Sequence, residues 1–559
     1  MELTPGSVPD RPSGRGRRLS ALGVLTALCL PVLAVAPAHA AVAGPDRKVL
    51  VRAEAGQLAL AEAAVRRLGG HVGRELRLIN AVAATLPASA SRALSLAPGV
   101  REVSDNAAVT LASTTYVPSS DADSLYNIEI AVGARQRWSK GWTGRGVDIA
   151  LVDSGVAPVA GIKAGNLVYG PDLTPESQNK DTANLDTYGH GTHLAGIIAG
   201  HDAAVTDVVG ANNNSTDFLG VAPDARVVSV KVADYHGNSD VSQVIAGIDW
   251  VVQHAHDNGM NVRVLNLAFG TDSSQAYTSD PLAYAAEQAW KRGIVVVTSA
   301  GNTGATTGRM TDPAVDPYVL AVGADDTHGS TSSSDDTIPS FSSTGDGVRN
   351  PDLVAPGVHV QSLRVPGSYV DVNYGATATI GDRFFRGSGT SQAAAVASGA
   401  VALLLQQYPT LTPDQVKYLL MGNANALPSA SVQAQGSGLV SLRSIGTTLL
   451  PVVQTFTAST GTGTLEGSRG STHLMLRDAT TGVSTPLAGE QDLFGAPVST
   501  LGLAASEAAA ASWTGGTWNG NVWAGDGWTS SSWASSAWAS SSWASSSWAS
   551  SSWASASWS

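Results

Sequence analysis

The stretch GVDIALVDSG, residues 146–155, carries an apolar run directly into an acidic turn. Residues 147–152 predict a strand that ends at Asp153. Downstream, helix-like and strand-like segments alternate to about residue 445. Such alternation implies a parallel sheet covered on both faces, and sites on such sheets lie beyond the carboxyl ends of the strands. The stretch therefore predicts an α/β fold with Asp153 at the edge where a site forms.

The same pattern assigns the other main elements of this region and predicts a central, mostly parallel sheet. The predicted strands after the first are 226–232, 262–267, 294–298 and 319–323. The predicted helices are 190–199, 241–255, 282–290, 390–406 and, after a Thr-Pro start, 415–421.

Four short segments place polar residues where strands or loops lead into helices: Asp-Ser-Gly at 153–155, His-Gly-Thr-His at 190–193, Ser-Ala-Gly-Asn at 299–302 and Gly-Thr-Ser at 389–391. A serine hydroxyl is a poor nucleophile unless an imidazole takes its proton, and a carboxylate fixes the tautomer of that imidazole. We therefore predict Ser391 as nucleophile, His190 as base and Asp153 as its orienting carboxylate. The amide of Asn302 would bind an oxyanion.

Each residue also has an ordinary structural interpretation. An isolated Gly-Thr-Ser usually caps a helix, and a lone aspartate at a strand end usually serves a turn. His190 and His193 lie one helical turn apart and could bind a metal ion. A zinc peptidase helix has a spacing of four and a Glu between its histidines, which this segment lacks. We therefore predict no metal ligand and a buried, structural His193.

Longer motifs in this chain resemble the subtilisin-like serine peptidases and fall in that family's order between roughly residues 140 and 430. They are residues 152–155, 190–196, 220–223, 352–357 and 389–394. The resemblance implies a three-layer subtilisin-like fold, with Asp153, His190 and Ser391 catalytic. The oxyanion would be bound by Asn302 together with the backbone N–H of Ser391.

The resemblance also implies two substrate-binding segments, Ala268, Phe269, Gly270 and Ser299, Ala300, Gly301. The chain departs from the family pattern at three places. Ala268 stands where Ser is common, Gln392 follows the serine where Met is usual, and residues 395–396 replace a Pro-His pair. These departures leave the catalytic roles intact, and we expect the packing behind Ser391 to differ.

Residues 1–40 are typical of a secretory signal, with arginines, an apolar run over 19–35 and a small-residue cleavage site at 38–40. Prolines interrupt the apolar run, which is short for a membrane span, so no membrane anchor is expected.

Residues 41–112 predict a small α+β unit, with strands at 48–53, 76–86 and 100–103 and helices at 59–68 and 89–96. Basic residues outnumber acidic ones here, ahead of an acidic body. That charge pattern fits either a leader that docks on the body before removal or an attached N-terminal domain. The resemblance implies an inhibitory propeptide, with cleavage between about residues 105 and 125.

The composition changes after residues 125–445, the predicted catalytic domain. Residues 446–512 predict a linker or a small β-rich segment. From 513 to 559 Trp recurs every five residues, and Asp526 is the only charge. The repeat is typical of a flexible, low-complexity tail; alternatively it is a contact surface for cell wall or polysaccharide.

The overall composition narrows the partners. With a net charge of −12 and no Lys/Arg cluster after a folded segment, nucleic acid is not an expected partner. The one cysteine, Cys29, lies in the predicted signal, so the mature chain is expected to lack disulfides. No cofactor is expected for catalysis, and the resemblance leaves structural calcium open without naming a residue.

The leading hypothesis is a secreted, extracellular serine endopeptidase that cleaves proteins or peptides through an acyl-enzyme and is made as a self-inhibited precursor. One alternative is a non-catalytic wall-binding protein on the same fold. Another is an esterase or a peptide-bond-forming acyl transferase that uses the same site.

Overall fold

A computed structural model describes residues 46–106, 116–445, 452–477, 483–493 and 495–522. The chain divides into two compact units, residues 1–112 and 113–559. The predicted signal at 1–40, part of the predicted cleavage region and the tail beyond residue 522 lie outside the described residues.

The first unit is a small α+β fold, as its residue pattern predicts. Its elements are β1 (Asp46–Ala53), α1 (Leu58–Arg67), β2 (His71–Leu76), β3 (Ala81–Pro87), α2 (Ser91–Ser95) and β4 (Val100–Asp105). The strands form an antiparallel sheet in the order β2-β3-β1-β4.

The strand predicted over 76–86 is wrong. Strand β2 ends at Leu76, a 3-10 turn covers Arg77–Ile79, and Asn80 has a left-handed φ of 50° before β3 begins. Asn adopts that conformation at lower cost than most residues. The chain therefore reverses here, and the apolar run becomes parts of two paired strands.

Seven strands form the central sheet of the second unit. They are β5 (Asp148–Asp153), β6 (Leu167–Asp172), β7 (Arg226–Lys231), β8 (Val262–Leu267), β9 (Val295–Ser299), β10 (Leu320–Asp325) and β11 (Leu353–Pro356). Their order is β11-β10-β9-β8-β5-β7-β6, with every neighbouring pair parallel. Every residue of β5 and β9 is buried, as expected for a sheet flanked by helices. The predicted parallel α/β sheet is confirmed.

Helices flank this sheet, and of the described ones none has the length and apolar character to cross a membrane. They are α3 (Leu125–Val132), α4 (Ala134–Trp138), α5 (His190–Ala199), α6 (Val241–His254), α7 (Pro281–Lys291), α8 (Tyr369–Ala378), α9 (Thr390–Gln407), α10 (Pro413–Gly422), α11 (Val432–Gln435), α12 (Leu465–Arg469) and α13 (Thr500–Ala508). Helix α6 packs against α7, and α9 packs against α5 and against β8 to β11. Small residues make the α9 packing close: a Cβ on Gly399 would lie 2.6 Å from the Cβ of Val221.

The sequence analysis does not predict β6 or α8. Strand β6 contains Gly170 and Pro171 and lies at the edge of the sheet. Helix α8 buries only Val370 and Ala378, so its sequence shows no apolar stripe. It connects β12 (Val360–Leu363) to β13 (Thr379–Ile380), and both join β14 (Phe384–Gly387) in a small antiparallel sheet.

Several residues between 452 and 522 are part of the second unit's core. Besides α12 and α13, the described residues of this region form β15 (Met475–Arg477), β16 (Ser484–Pro486), β17 (Trp513–Thr514), β18 (Thr517–Trp518) and β19 (Asn521–Val522). Leu465 and Leu487 are fully buried in the main core. The structure thus differs from the predicted linker or β-rich segment at 446–512. Few apolar residues of this region reach the core, and the many Ser, Thr and Gly residues between them leave no apolar pattern from which the fold could be predicted.

The first two tryptophans of the repeat also belong to this core, with Trp513 5% and Trp518 0% exposed. Both indole N–H groups donate to α6, that of Trp513 to a carbonyl oxygen at 3.0 Å and that of Trp518 to the carboxylate of Asp249 at 2.8 Å. Two-residue turns at 515–516 and 519–520 connect β17, β18 and β19. The repeat predicted as a flexible tail from residue 513 therefore begins with folded repeats.

A pair of buried carboxyl groups lies at the end of β10. Asp325 is 0% and Asp336 2% exposed, and neither oxygen of Asp325 receives a donor from the described residues. Burial and the neighbouring Asp336 raise the pKa of Asp325 to about 9, and burial raises the pKa of Asp336 to about 6. Asp325 therefore holds a proton at neutral pH that it can donate to Asp336.

We predict that this pair makes the folded chain less stable as the pH rises from about 6 to about 9. The unfolded aspartates are already ionised in that window, so only the folded state has a proton to lose. The free energy of unfolding should fall by up to about 1.4 kcal/mol per pH unit from this pair. Chemical denaturation of Asp325→Asn, which keeps a donor to Asp336, should show a flatter slope than wild type. The exposed Asp382→Asn should keep the wild-type slope, and equal slopes in all three proteins would contradict the prediction.

Candidate active site

The predicted site residues meet at the carboxyl ends of three adjacent strands. Asp153 is the last residue of β5, Ala268 follows β8 directly, and Asn302 lies three residues after the end of β9. These strands are neighbours in the sheet, in the order β9-β8-β5. His190 is the first residue of α5, and Ser391 is the second residue of α9. A parallel sheet brings such ends to one edge, as the sequence analysis expects.

Asp153 and His190 form a buried pair, 0% and 2% exposed. The imidazole Nδ1 lies 3.0 Å from Oδ1 and 3.1 Å from Oδ2 of the carboxylate. Asp153 also accepts the backbone N–H of Ser154 at 2.7 Å. Because a carboxylate only accepts, Nδ1 is the protonated nitrogen of the neutral ring, and Nε2 is then the basic one.

Two glycines allow α5 to start against the Asp153 loop. Gly189 has a left-handed φ of 107°, and a Cβ there would lie 2.4 Å from the Cγ2 of Val370. A Cβ on Gly191 would lie 2.1 Å from the carbonyl oxygen of Gly155. Only glycine fits at either position, so the His190 backbone can approach Asp153 closely.

Asp186 fixes the first turn of α5 and is missed by the sequence analysis. Its carboxylate accepts the N–H groups of Gly189 at 2.6 Å and Thr192 at 2.7 Å, and the hydroxyl of Ser154 at 2.8 Å. The carboxylate thus accepts N–H groups at the start of α5 that have no acceptor within the helix. Asp186 therefore ties the helix that carries His190 to the loop that carries Asp153.

Lys231 is a second residue that the sequence analysis missed. It is 0% exposed, and its ammonium donates to the carbonyl oxygens of Ser154 at 3.0 Å and Leu185 at 2.6 Å. Its counter-charge is Glu176, at 2.8 Å. One buried cation thus joins the loops before His190 and after Asp153. Asp186 and Lys231 both act through tertiary contacts, and no local sequence motif indicates the role of either residue.

Ser391 lies at the N-terminal turn of α9 and is 3% exposed. Its hydroxyl donates to the carbonyl oxygen of Ala268 at 2.8 Å. That acceptor is a backbone group, so the Ala in place of the family's Ser at this position leaves it unchanged. The Gln392 side chain is 2% exposed, and Ala395 and Val396 are fully buried. The departures from the family pattern are therefore accommodated inside the core.

The amide of Asn302 is oriented by Thr390, whose role the sequence analysis missed. Oδ1 of Asn302 accepts both the backbone N–H and the hydroxyl of Thr390, each at 2.9 Å. The Thr390 hydroxyl oxygen in turn accepts the N–H of Gly301 at 3.2 Å. Two donors on one side assign Oδ1 to that side, so Nδ2 is directed to the other.

The two predicted substrate-binding segments converge on Thr311. A Cβ on Gly270 would lie 2.7 Å from its hydroxyl oxygen, and a Cβ on Gly301 would lie 2.8 Å from its Cγ2. Ala300 and Phe269 are buried at 0% and 1% exposure. The backbones of the two segments are therefore the parts closest to Thr311.

His193 is 1% exposed, with Nε2 3.2 Å from the carbonyl oxygen of Phe385. Burial, with a smaller effect of His190, lowers the pKa of His193 to about 3. The ring is therefore neutral, in agreement with the predicted structural role.

Of the described residues, no group of three or more His, Cys, Asp or Glu could hold a metal ion. Two sets of carbonyl oxygens that could attract a cation bind side chains of this chain instead. Arg135 donates to those of Asn212 and Asn214, both at 2.9 Å. Lys417 donates to two within 317–319, at 2.6 and 2.8 Å. These residues do not fit a calcium ion, and no step of the chemistry is assigned to one.

Known proteins resemble this chain in sequence. Residues 144–438 match the model of the subtilase family. Serine protease AprX of Bacillus subtilis (strain 168) is 34% identical over 304 residues, which are 53% of this chain and 65% of AprX. The chain thus spans slightly less than two thirds of that relative.

Subtilisin E of the same organism is 30% identical over 385 residues, which are 67% of this chain and 83% of that protein. Among solved structures, fervidolysin from Fervidobacterium pennivorans, described as a keratinolytic enzyme related to subtilisin, has a TM-score of 0.45 at 23% identity. That comparison covers 79% of this chain and 65% of fervidolysin. Since the family model matches more than half of the 559 residues and subtilisin E aligns over 83% of its length, the chain belongs to the subtilase family of subtilisin-like serine peptidases.

Proposed function

We propose that this chain is a secreted serine endopeptidase with Asp153, His190 and Ser391 as its catalytic residues. The observation that carries the proposal is the buried Asp153–His190 pair, at 3.0 Å. It lies at the carboxyl ends of the central strands, as do Ser391 and Asn302. A subtilase domain over residues 144–438 supports peptide hydrolysis as the reaction class.

The reaction begins when the Ser391 hydroxyl turns from the Ala268 carbonyl toward His190. Nε2 of His190 takes the proton while Oγ attacks the carbonyl carbon of the scissile bond, and Asp153 stabilises the imidazolium. The negative charge moves to the carbonyl oxygen, which receives the Ser391 N–H and Nδ2 of Asn302. Thr390 holds that amide in place, so little reorganisation is needed when the charge develops.

The proton on His190 then passes to the leaving amine, the C–N bond breaks, and an acyl ester on Ser391 remains. A water molecule gives its proton to Nε2 and attacks the ester, which releases the acid product and restores the hydroxyl. An extended substrate would pair with the backbone of residues 268–270, since such pairing needs no particular side chain at 268.

Secretion and self-inhibition are further parts of the proposal. The signal-like composition of residues 1–40 supports export. The compact α+β unit at 46–106 supports a separately folding leader that acts as inhibitor until it is cleaved. Binding of the tail to cell wall or polysaccharide stays a prediction, because residues 523–559 lie outside the described part.

Labelling with a fluorophosphonate tests the nucleophile. Wild-type protein should be labelled, because an activated serine forms a stable phosphonyl ester, and Ser391→Ala should not be labelled. Ser398→Ala, on the same helix and bonded to Asn266 at 2.9 Å, serves as the matched control and should keep the label. Equal labelling of wild type and Ser391→Ala would refute the assignment. Hydrolysis of an ester but not of any peptide would favour the esterase alternative.

Replacing Asn302 tests the oxyanion site. Asn302→Ala should lower kcat for a peptide substrate by roughly 10²–10³-fold with little change in KM, because its amide is needed mainly in the transition state. The melting temperature should also fall, since Asn302 is 8% exposed and its loss leaves the N–H and hydroxyl of Thr390 without this acceptor; kcat is therefore compared at a temperature well below both melting transitions. A kcat within about twofold of wild type would show that another group binds the oxyanion.

A further inference from the structure

The match to the family model ends at residue 438. A later segment of the chain nevertheless contacts residues next to the predicted substrate-binding residues 268–270. Residues 459–471, here called the buttress segment, include α12 and contact residues 271–275. Residues 271–275 directly follow the predicted substrate-binding residues 268–270. The buttress segment therefore contacts the residues that directly follow the predicted substrate-binding residues.

Two buried hydroxyl groups connect these parts. Thr271 donates to the carbonyl oxygen of Ser468 at 2.6 Å, and Ser273 donates to that of Gly467 at 2.7 Å. Thr271 is 3% exposed, and Ser273 and Ser468 are 0% exposed. The Ser468 carbonyl lies in the last turn of α12, where helix carbonyls lack intrahelical donors, and the Gly467 carbonyl also accepts the N–H of Gly470 at 3.3 Å. Each bond thus satisfies a buried group on both sides.

Further contacts show how close the approach is. Gln275 and Thr464 exchange two hydrogen bonds, at 3.2 and 2.9 Å. Gly470 has a left-handed φ of 71°, and a Cβ there would lie 2.2 Å from Oδ1 of Asp272 and 2.7 Å from the backbone N of Ser273. The glycine lets two backbones meet where any side chain would collide.

A buried carboxylate ties the two segments together. Asp280 accepts two hydrogen bonds from the two segments. The hydroxyl of Ser468 in the buttress segment donates at 2.7 Å, and the amide of Gln275 donates at 2.9 Å. Asp280 also caps α7 by accepting the N–H of Leu282 at 2.8 Å. Gln275, the buttress segment and α7 therefore all donate hydrogen bonds to the same carboxylate, that of Asp280.

The buttress segment is itself held rigidly to the main body. Arg469 and Asp240, 1% and 2% exposed, pair at 2.8 Å. The N–H of Ser459 donates to the carboxylate of Glu287 at 2.6 Å. A buried ion pair with both partners present resists movement, because separating it would leave an uncompensated charge.

The link continues from Thr271 to the substrate pocket. The backbone N–H and carbonyl of Thr271 pair with the carbonyl and N–H of Asp312, both at 2.9 Å. Asp312 follows Thr311, which lies between Gly270 and Gly301. Thr271 is thus fixed on one side by the buttress segment and on the other by an isolated β-bridge to Asp312, the residue next to Thr311.

We propose that the buttress segment is a positioning element for substrate binding, acting through Thr271 and Ser273 on the backbone of residues 268–270, which follow β8. The proposal rests on the proposed peptidase function. A peptide that pairs with this backbone needs its groups aligned to a fraction of an ångström, whereas a small reagent that reaches only Ser391 does not. Loss of the contact therefore affects peptide binding more than the chemistry of the serine.

The test compares Thr271→Val, which keeps the shape and removes the donor, with Thr271→Ser, which keeps the donor. For a peptide substrate of at least four residues, Thr271→Val should raise KM by about tenfold with a smaller change in kcat, since the Ser468 carbonyl is left unsatisfied. Thr271→Ser should restore KM. The rate of fluorophosphonate labelling should stay within about twofold of wild type in both variants. Ser273→Ala gives a second measurement should Thr271→Val fold poorly.

Gln253→Ala is the matched control. Gln253 accepts from Ser512 and Trp513 at 2.7 and 2.6 Å, so it also fastens the C-terminal region, but at the far end of α6 from Asp240. It should lower the melting temperature without changing KM. An unchanged KM in both Thr271→Val and Ser273→Ala, or an equal rise in Gln253→Ala, would overturn the inference. A wild-type protein that neither cleaves peptides nor takes the label would instead overturn the proposed function and this inference with it.

Discussion

The pairing of Asp153 with His190, both withdrawn from water, sets most of the geometry around the site. A buried carboxylate is costly unless donors surround it, so each oxygen must find partners. Those partners come from the turn after β5 and from the first turn of α5, which therefore have to lie close together. Gly191 is required because a Cβ would strike the carbonyl of Gly155. Asp186 and Lys231 then satisfy the remaining polar groups of the two loops.

The sequence could predict the four central residues because each stands in a short motif at a junction of strand and helix. Asp153 ends an apolar run, and Ser391 begins an alanine-rich helix, so local pattern and chemistry coincide. The residues that orient them follow a different logic. Thr390 acts on Asn302 across 88 positions of sequence, and Lys231 reaches Ser154 across 77. A single sequence carries no signal for such pairs, since either residue alone is an ordinary threonine or lysine.

Composition misled the sequence analysis most in the C-terminal region. Ser, Thr and Gly suggest a linker there because they bury little apolar surface, yet a few residues suffice to dock it. Trp518 fills a core position and gives its indole N–H to Asp249, while Arg469 pairs with Asp240. Both aspartates are on or next to α6, which shows that one helix of the peptidase domain receives much of the added segment. A Trp at every fifth position is typical of a low-complexity tail, but at residues 513–522 two-residue turns convert this spacing into short paired strands.

Three carboxyl groups with raised pKa values, Asp312, Asp316 and Glu507, lie close to residues that contact this region. Burial, with Asp280 nearby, raises the pKa of Asp312 well above its usual value, and burial beside Glu287 does the same for Asp316. Asp280 and Glu287 both bond to the buttress segment. In α13, burial and the negative charge of Asp249 raise the pKa of Glu507, and the positive charge of Arg292 partly offsets this rise.

A group with a raised carboxyl pKa holds, in the folded chain, a proton that the unfolded chain has released. The contribution of these groups to stability is therefore fully present only below the pKa of the unfolded carboxyl, and it falls as the pH rises toward and through the folded pKa. Asp312 pairs with the backbone of Thr271, and Asp249, whose charge acts on Glu507, accepts the indole N–H of Trp518. Ionisation of these carboxyl groups is therefore expected to weaken the contacts of the C-terminal region at both places.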